Sequence, residues 1–116
     1  MTSYEFFCSL EDFSLSECMT CFVEEFKHYR HSARILVLRD EPMRLRGTKQ
    51  ERAFYAGLCE FYANWYHLPL PPWLEKEEYF LEEKWYPFLP NLIEEKSPIE
   101  FRKRNIIIGP NDVVLC

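Results

Sequence analysis

Apolar residues repeat with helical spacing along most of the chain. From Ser14 to about residue 31 they fall at every third or fourth position, which predicts an amphipathic helix. A second helical pattern covers residues 48–67, and aromatic or apolar residues there occupy most of the helix circumference. A helix of this kind is enclosed by its neighbours. We therefore predict that the helix over residues 48–67 is the buried centre of an all-α domain. Its polar residues are confined to one narrow line, formed by Gln50, Gly57, Glu60, Asn64 and His67.

Three segments carry the signature of a helix start. In each, a hydroxyl residue is followed three positions later by glutamate, a pairing that satisfies backbone N–H groups at a helix N-terminus. Pro98 stands at the first helical position of the last segment and strengthens that signal. The pairs are Ser14 with Glu17, Thr48 with Glu51, and Ser97 with Glu100.

The remaining segments predict shorter elements. Residues 32–42 fit either a short helix or an extended piece that Pro42 closes, and the sequence leaves the structure of residues 32–47 open. The prolines of "PLPP" end the central helix, after which one short helix is expected from Trp73 onward and a further turn over residues 90–96. A short helix follows Ser97, and "IIIG" predicts a brief extended tail. The whole chain, residues 1–116, is thus expected to be one bundle of about five helices.

Composition agrees with a small folded domain. A chain of 116 residues, 47% of them apolar, is long enough for one core without metals or disulfides. It has no run of 18 or more apolar residues and no secretory signal at its start, so a cytoplasmic protein is expected. The five cysteines follow no regular spacing, which favours reduced and mostly buried thiols.

Charge is unevenly distributed along the chain, although the net charge is −5. Residues 27–52 carry eight Lys or Arg against three acids, and the C-terminal segment is also basic. These segments could merge into one phosphate-binding face if the fold brings them together. Alternatively, they neutralise the acidic segments within the molecule.

The residue patterns that suggest catalysis have simpler explanations. Cys18, Cys21, His28 and His31 resemble a zinc set, but a single helix would separate residues 18 and 28 by about 15 Å. Tetrahedral zinc needs all its ligands within about 2.3 Å of one point. No histidine is paired with a cysteine in the pattern, and the glutamates of residues 75–83 fit a solvated helix face. We therefore expect no metal, no cofactor and no enzymatic activity, with a small hydrolase or nuclease as the weakest alternative.

The segment "FRKRN" allows two interpretations. Cations in the last turn of a short helix complement its dipole, and Asn105 can end that helix in the left-handed conformation. Three consecutive cations nevertheless point in different directions, so at least one is expected to face outward and to be free for a carboxylate or phosphate. The residues predicted to contact a partner are Phe101, Arg102, Lys103, Arg104, Asn105, Trp73 and Trp85.

Residues 39 to 109 resemble a family of small bacterial proteins. The family shows "EEP" before a helix, "GLPVPxW" at a helix end, an aromatic-flanked "PWF" and a closing "SPxxFRRRNIFV". This chain differs from it at Lys103, where arginine is usual, and at Ile107, where an aromatic is usual. The shared residues are Glu41, Pro42, Pro69, Pro71, Trp73, Trp85, Ser97, Pro98, Phe101, Arg102, Arg104 and Asn105.

The resemblance implies a context for the protein and no catalytic residue. Family members are free-standing or follow a helix-turn-helix domain, and some sit beside toxin–antitoxin-type genes. We accordingly expect a non-enzymatic cytosolic bacterial protein of the antitoxin or regulatory-accessory kind, which acts by binding a partner protein. The alternative is a nucleic-acid-associated regulator that uses merged basic segments 27–52 and 101–105. The sequence leaves the partner's identity and the oligomeric state open.

Overall fold

Five α-helices account for most of the regular structure in the computed structural model, which describes residues 1–43 and 46–114. Three short 3₁₀ turns lie between the fourth and fifth helices, at Pro72–Glu75, Glu77–Tyr79 and Glu94–Lys96. The described residues contain no β-strand and a single isolated bridge, between Trp85 and Ile106. The predicted all-α fold is confirmed. Its helices are α1 (Ser3–Ser9), α2 (Leu15–Lys27), α3 (His31–Arg39), α4 (Lys49–Trp65) and α5 (Ile99–Arg102).

Helix α4 is the centre of the core, as its sequence predicts. Eleven of its 17 residues are buried. The ring of Tyr55, in the middle of α4, is fully buried and belongs to an aromatic cluster. Rings of this size bring large apolar areas into the core, so they hold α1, α2 and the first 3₁₀ turn around α4. The ring centres that lie 5.0–6.3 Å from that of Tyr55 belong to Phe6, Phe7, Phe22 and Trp73.

Capping boxes start three of the helices. Ser14 and Thr48 each accept a hydrogen bond from the backbone N–H three residues on, at 3.1 and 3.0 Å, which confirms two of the three predicted boxes. A further box at Thr2, which the sequence analysis did not identify, starts α1. Each box supplies partners for backbone N–H groups that the helix itself leaves free.

The third predicted box, at Ser97 and Glu100, is wrong. Ser97 Oγ donates to the Ile106 carbonyl and accepts from the Ile108 N–H, both at 3.2 Å. Glu100 Oε2 accepts a hydrogen bond from Asn64 Nδ2 at 2.8 Å. The two side chains therefore satisfy groups of the C-terminal segment and of α4. Ser97 hydrogen-bonds backbone groups that are buried and therefore cannot bind water.

The helix predicted to reach residue 31 ends earlier, at Lys27. Arg34 of α3 supplies donors for carbonyls of the last turn of α2: Nη2 donates to Lys27 at 2.8 Å and Nε donates to Phe26 at 3.2 Å. Its guanidinium also lies 3.7 Å from the centre of the Tyr66 ring. A cation at this end complements the helix dipole, so α2 can stop and α3 can begin. The open segment 32–47 thus starts as helix; residues 44 and 45 lie outside the described residues.

The single helix predicted from Trp73 onward is wrong. The chain instead forms two 3₁₀ turns on either side of Lys76, whose backbone is extended (ψ 138°). Trp73 and Tyr79 are both buried in the same core. In an α-helix, side chains six positions apart point about 120° away from each other. The break at Lys76 thus lets both rings reach the same core from a segment at the edge of the domain.

Candidate functional site

The "FRKRN" segment ends α5 in a Schellman motif. Asn105 has the left-handed backbone expected of it (φ 64°). The Ile106 N–H donates to the Phe101 carbonyl and the Asn105 N–H donates to the Arg102 carbonyl, both at 3.0 Å. The turn reverses the chain, and the three consecutive cations have different surroundings.

Arg104 points into the core and is fully buried. Its Nη1 donates to Glu60 Oε1 at 2.8 Å and to the Glu100 carbonyl at 2.7 Å, and its Nη2 donates to the Leu74 carbonyl at 2.9 Å. The guanidinium carbon lies 4.8 Å from the centre of the Phe80 ring. A buried charge is tolerated when it is paired and hydrogen-bonded in this way. One side chain thus ties together α4, α5 and the first 3₁₀ turn.

Glu60 is the shared counter-ion of this cluster. Its Oε2 lies 2.6 Å from Lys103 Nζ, and its side chain is only 8% exposed. The sequence placed Glu60 on the polar line of α4, together with Gly57. A Cβ atom at Gly57 would lie 2.8 Å from the Phe101 ring. This part of the polar line is therefore the surface on which α5 packs.

The residues predicted to contact a partner divide into two groups. The first group builds the interior, and a partner cannot reach its members while the chain keeps this fold. The second group reaches the surface, where a binding role stays a prediction. The buried residues are Phe101, Arg104 and Trp73, none more than 6% exposed. The residues at the surface are Arg102, Lys103, Asn105 and Trp85.

Trp85 opens a loop of nine residues, 85–93, which we call the apolar loop. Lys84 Nζ and Glu94 Oε2 meet across its base at 2.6 Å. The two ends of the loop are therefore close together, as in the compact surface loops that often carry function.

The apolar loop is fixed to the core at two points. The Trp85 N–H donates to the Asn105 carbonyl, and the Trp85 carbonyl accepts from the Ile107 N–H, both at 2.8 Å. The Phe88 ring turns inward and lies 5.7 Å from the ring of Phe54 in α4. The loop is thus attached to the backbone of Asn105 and Ile107. These residues directly follow Arg104, which is fixed in the core by Glu60.

The apolar loop exposes three large apolar side chains. Tyr86, Leu89 and Ile93 are 39%, 59% and 56% exposed. Ile93 also lines a groove of about 300 Å³ whose walls include Leu92 and Ile108. Exposed apolar side chains concentrated in one short segment next to a groove are typical of protein-contact sites.

A second concave region lies near the start of α4 and is called the mixed-charge cleft here. It has a volume of about 540 Å³. Behind it, the Tyr79 hydroxyl donates to a carboxylate oxygen of Glu41 at 2.8 Å. Burial is the larger cause, and this hydrogen bond the second, of a Tyr79 pKa well above its ordinary value. The hydroxyl therefore stays protonated and continues to donate. The lining residues are Glu41, Pro42, Arg52, Lys76 and Glu78.

The cysteines and histidines of the described part of the chain differ in burial, and no three of them are grouped to bind a metal ion. Cys18 and Cys59 are buried, and burial raises the pKa of both thiols. Cys21 is exposed, and Cys116 lies outside the described residues. His31 begins α3, so the premise that all four zinc-like residues share one helix is wrong. Within residues 1–43 and 46–114, no three His, Cys, Asp or Glu side chains are grouped to hold a metal ion.

Many cations of the two basic segments are engaged within the molecule. Arg52 and Arg104 are buried, and Arg34 caps α2. Arg46 lies 3.4 Å from Glu11, and Lys103 is paired with Glu60. These contacts agree with the second interpretation of the charge pattern, in which the basic segments neutralise acidic ones. In the described part of segment 27–52, the exposed Arg and Lys without an ion pair are Arg30, Arg39 and Lys49.

Comparisons with protein-family models, curated proteins and solved structures return no match to this chain. The resemblance to a bacterial family therefore stays a prediction. Among the described residues, no helix is both long enough and apolar enough to cross a bilayer.

Proposed function

We propose that this chain is a non-enzymatic protein-binding module whose contact surface is the apolar loop. The observation that carries the proposal is the division of side chains within that loop. Phe88 faces the core, whereas Tyr86, Leu89 and Ile93 are exposed, and Ile93 also lines an apolar groove. Three large apolar side chains exposed within residues 86–93 support a contact surface in this segment.

The energetics of the loop favour binding. Complete burial of a fully exposed side chain of this size contributes about 1.5–3 kcal/mol, and about half of that gain is still open for Leu89 and Ile93. The loop is already held by the backbone hydrogen bonds of Trp85 and by Phe88, so little further ordering is needed when a partner docks. The loop is therefore already ordered before a partner docks.

The type of partner follows from the family resemblance rather than from the loop itself. That resemblance supports a bacterial, cytoplasmic protein of the antitoxin or regulatory-accessory kind, which masks or positions another protein. Relative to the sequence prediction, the proposed contact surface moves from the segment Phe101–Asn105 to the loop that begins at Trp85, which was itself among the predicted contact residues. Arg102, Lys103 and Asn105 remain as polar residues at the surface near the base of that loop.

The double substitution Leu89→Ser/Ile93→Ser is expected to reduce capture of a partner at least tenfold and to leave the melting temperature unchanged. Both side chains are more than half exposed, so their loss removes binding area and little core packing. The measurement is quantitative mass spectrometry of proteins captured from the native host by the immobilised chain, with melting followed by circular dichroism.

The matched control is Leu36→Ser/Leu70→Ser, which removes two leucines that are 61% and 49% exposed on other elements. It is expected to capture the same partner as the wild type. A partner that binds the loop variant as strongly as the wild type would exclude the loop as the contact surface.

A further inference from the structure

We propose that a small pocket beside α2, called the sulfur pocket here, binds one Cu(I) ion between the thiols of Cys18 and Cys21. The pocket has a volume of about 170 Å³ and lies where α2 meets the end of α1. Organic ligands occupy pockets of about 300 Å³ or more, so a site of this size suits a single ion. The site is separate from the apolar loop, and neither proposal depends on the other. The lining residues are Met1, Ser9, Phe13, Glu17, Cys18 and Cys21.

The ligands that the sulfur pocket offers are soft. Three of its lining residues contain sulfur: Met1, Cys18 and Cys21. Thiolate and thioether sulfur atoms are the ligands that select Cu(I), whereas Mg²⁺ and Ca²⁺ prefer oxygen. The two cysteines supply thiols, and Met1 can add a thioether as a third ligand. The chemistry of the lining therefore points to a soft ion.

The spacing of the two cysteines suits a shared ion. Cys18 and Cys21 are three positions apart in α2, so their side chains lie on one face of the helix. Their Cβ atoms are then about 5–6 Å apart, which is wider than the roughly 3.5–4.5 Å that a disulfide requires. Two metal–sulfur bonds of about 2.3 Å each span the wider gap without moving the backbone. The pair is thus better placed to share an ion than to form a disulfide.

Neither thiol has a strong partner in the described part of the chain. Cys18 makes one long contact, from Sγ to the Phe13 carbonyl at 4.0 Å. No hydrogen bond from a described residue engages the Cys21 thiol, which is exposed and gives an ion access from solvent. Burial, and then the nearby Cys21, raises the pKa of Cys18, so the buried sulfur keeps its proton when no cation is present. Binding of Cu(I) replaces the thiol protons, which pass to solvent.

The surroundings of the sulfur pocket are acidic. Residues 1–26 contain six acidic residues and no Lys or Arg. Glu11, Glu24 and Glu25 are paired with cations, whereas Glu17, which has no ion pair among the described residues, lines the pocket itself. A nearby negative charge offsets part of the cost of taking a cation out of water.

The number of ligands distinguishes Cu(I) from zinc. The expectation of no metal rests on the requirements of zinc, which takes four ligands in structural sites. In residues 1–43 and 46–114, no three His, Cys, Asp or Glu side chains are grouped to hold an ion, so zinc lacks ligands at the sulfur pocket. Cu(I) is satisfied by two or three sulfur atoms, which is the number that the lining supplies.

The test is a competition for Cu(I) between the full chain and bicinchoninate, whose Cu(I) complex is coloured, under anaerobic and reducing conditions. We expect the wild type to withdraw one Cu(I) per chain. Cys21→Ser is expected to lower the affinity by at least about tenfold. It should leave the circular dichroism spectrum unchanged, because Cys21 is exposed. The matched control is Cys8→Ser/Cys116→Ser, which keeps the pair and should bind as the wild type does.

X-ray absorption at the copper edge identifies the ligands of the bound ion. We expect sulfur atoms alone, at about 2.3 Å from the metal. Copper that stays with bicinchoninate in the presence of the wild type would overturn the proposal. Equal affinity of a folded Cys21→Ser variant would do the same, since the second thiol would then not be a ligand. A ligand shell that contains nitrogen or oxygen would place the ion outside the sulfur pocket and would also refute the assignment.

Discussion

Replacement of Arg104 by methionine is expected to lower the free energy of unfolding by about 3 kcal/mol. Methionine keeps much of the aliphatic volume but leaves the Glu100 and Leu74 carbonyls without their side-chain donor. It also removes the fully buried partner of Glu60, which keeps only the partly exposed Lys103. The loss is measured by urea unfolding monitored through tryptophan fluorescence.

Arg102→Met is the matched control for that measurement. Arg102 donates from Nη1 to the Glu95 carbonyl at an exposed site, at 2.9 Å. Surface substitutions of this kind change stability by less than about 0.5 kcal/mol. If both variants lost the same small amount, Arg104 would not have the structural role assigned to it here.

Phe101→Ala is expected to lower the free energy of unfolding by about 3–5 kcal/mol. The Phe101 ring is fully buried, and its centre lies 5.2 Å from that of Phe54. It also fills the space over Gly57, where a Cβ atom would lie 2.8 Å from it. Alanine would leave a cavity at the contact between α4 and α5, and a rigid core closes such a cavity only in part.

Ile99→Ala provides the control for Phe101→Ala, because it truncates another apolar residue of the same short helix. Ile99 is 53% exposed, so a loss near 0.5 kcal/mol is expected in the same urea experiment. Equal losses at the two positions would contradict the packing of α5 described here.

The sequence predicted the features that depend on neighbouring residues. The enclosed helix α4 follows from aromatic residues around most of its circumference, and the starts of α2 and α4 follow from capping pairs three residues apart. The left-handed Asn105 follows in the same way from its place at the end of a short basic helix. Each feature is decided by residues within one helix or at its ends.

The direction of Arg104 could not be predicted from its neighbours. Its counter-ion, Glu60, lies 44 positions earlier in the chain. Three consecutive cations look alike in sequence, and only the docking of α5 on α4 decides which one enters the core. Glu60 itself resembled a solvent-facing residue because it shares a line with Asn64 and His67, and both of these are exposed.

The apolar loop was missed although the sequence contains a sign of it. Pro87 and Pro90 interrupt any helix, and Asn91 takes a left-handed backbone (φ 62°) that is typical of turns. The apolar residues between them follow no helical spacing. The contact between Phe88 and Phe54 decides which side chains of the loop face inward. These two residues are distant in sequence, so a local pattern does not show their contact.

The central claim is that the Glu60–Arg104 pair fastens the C-terminal segment, and with it the base of the apolar loop, to α4. A double-mutant cycle tests it most directly, with urea unfolding of wild type, Glu60→Leu, Arg104→Met and the double variant. We expect a coupling energy of about 2 kcal/mol or more, because each single variant leaves the other charge buried. Losses that add to within about 0.5 kcal/mol would contradict the claim.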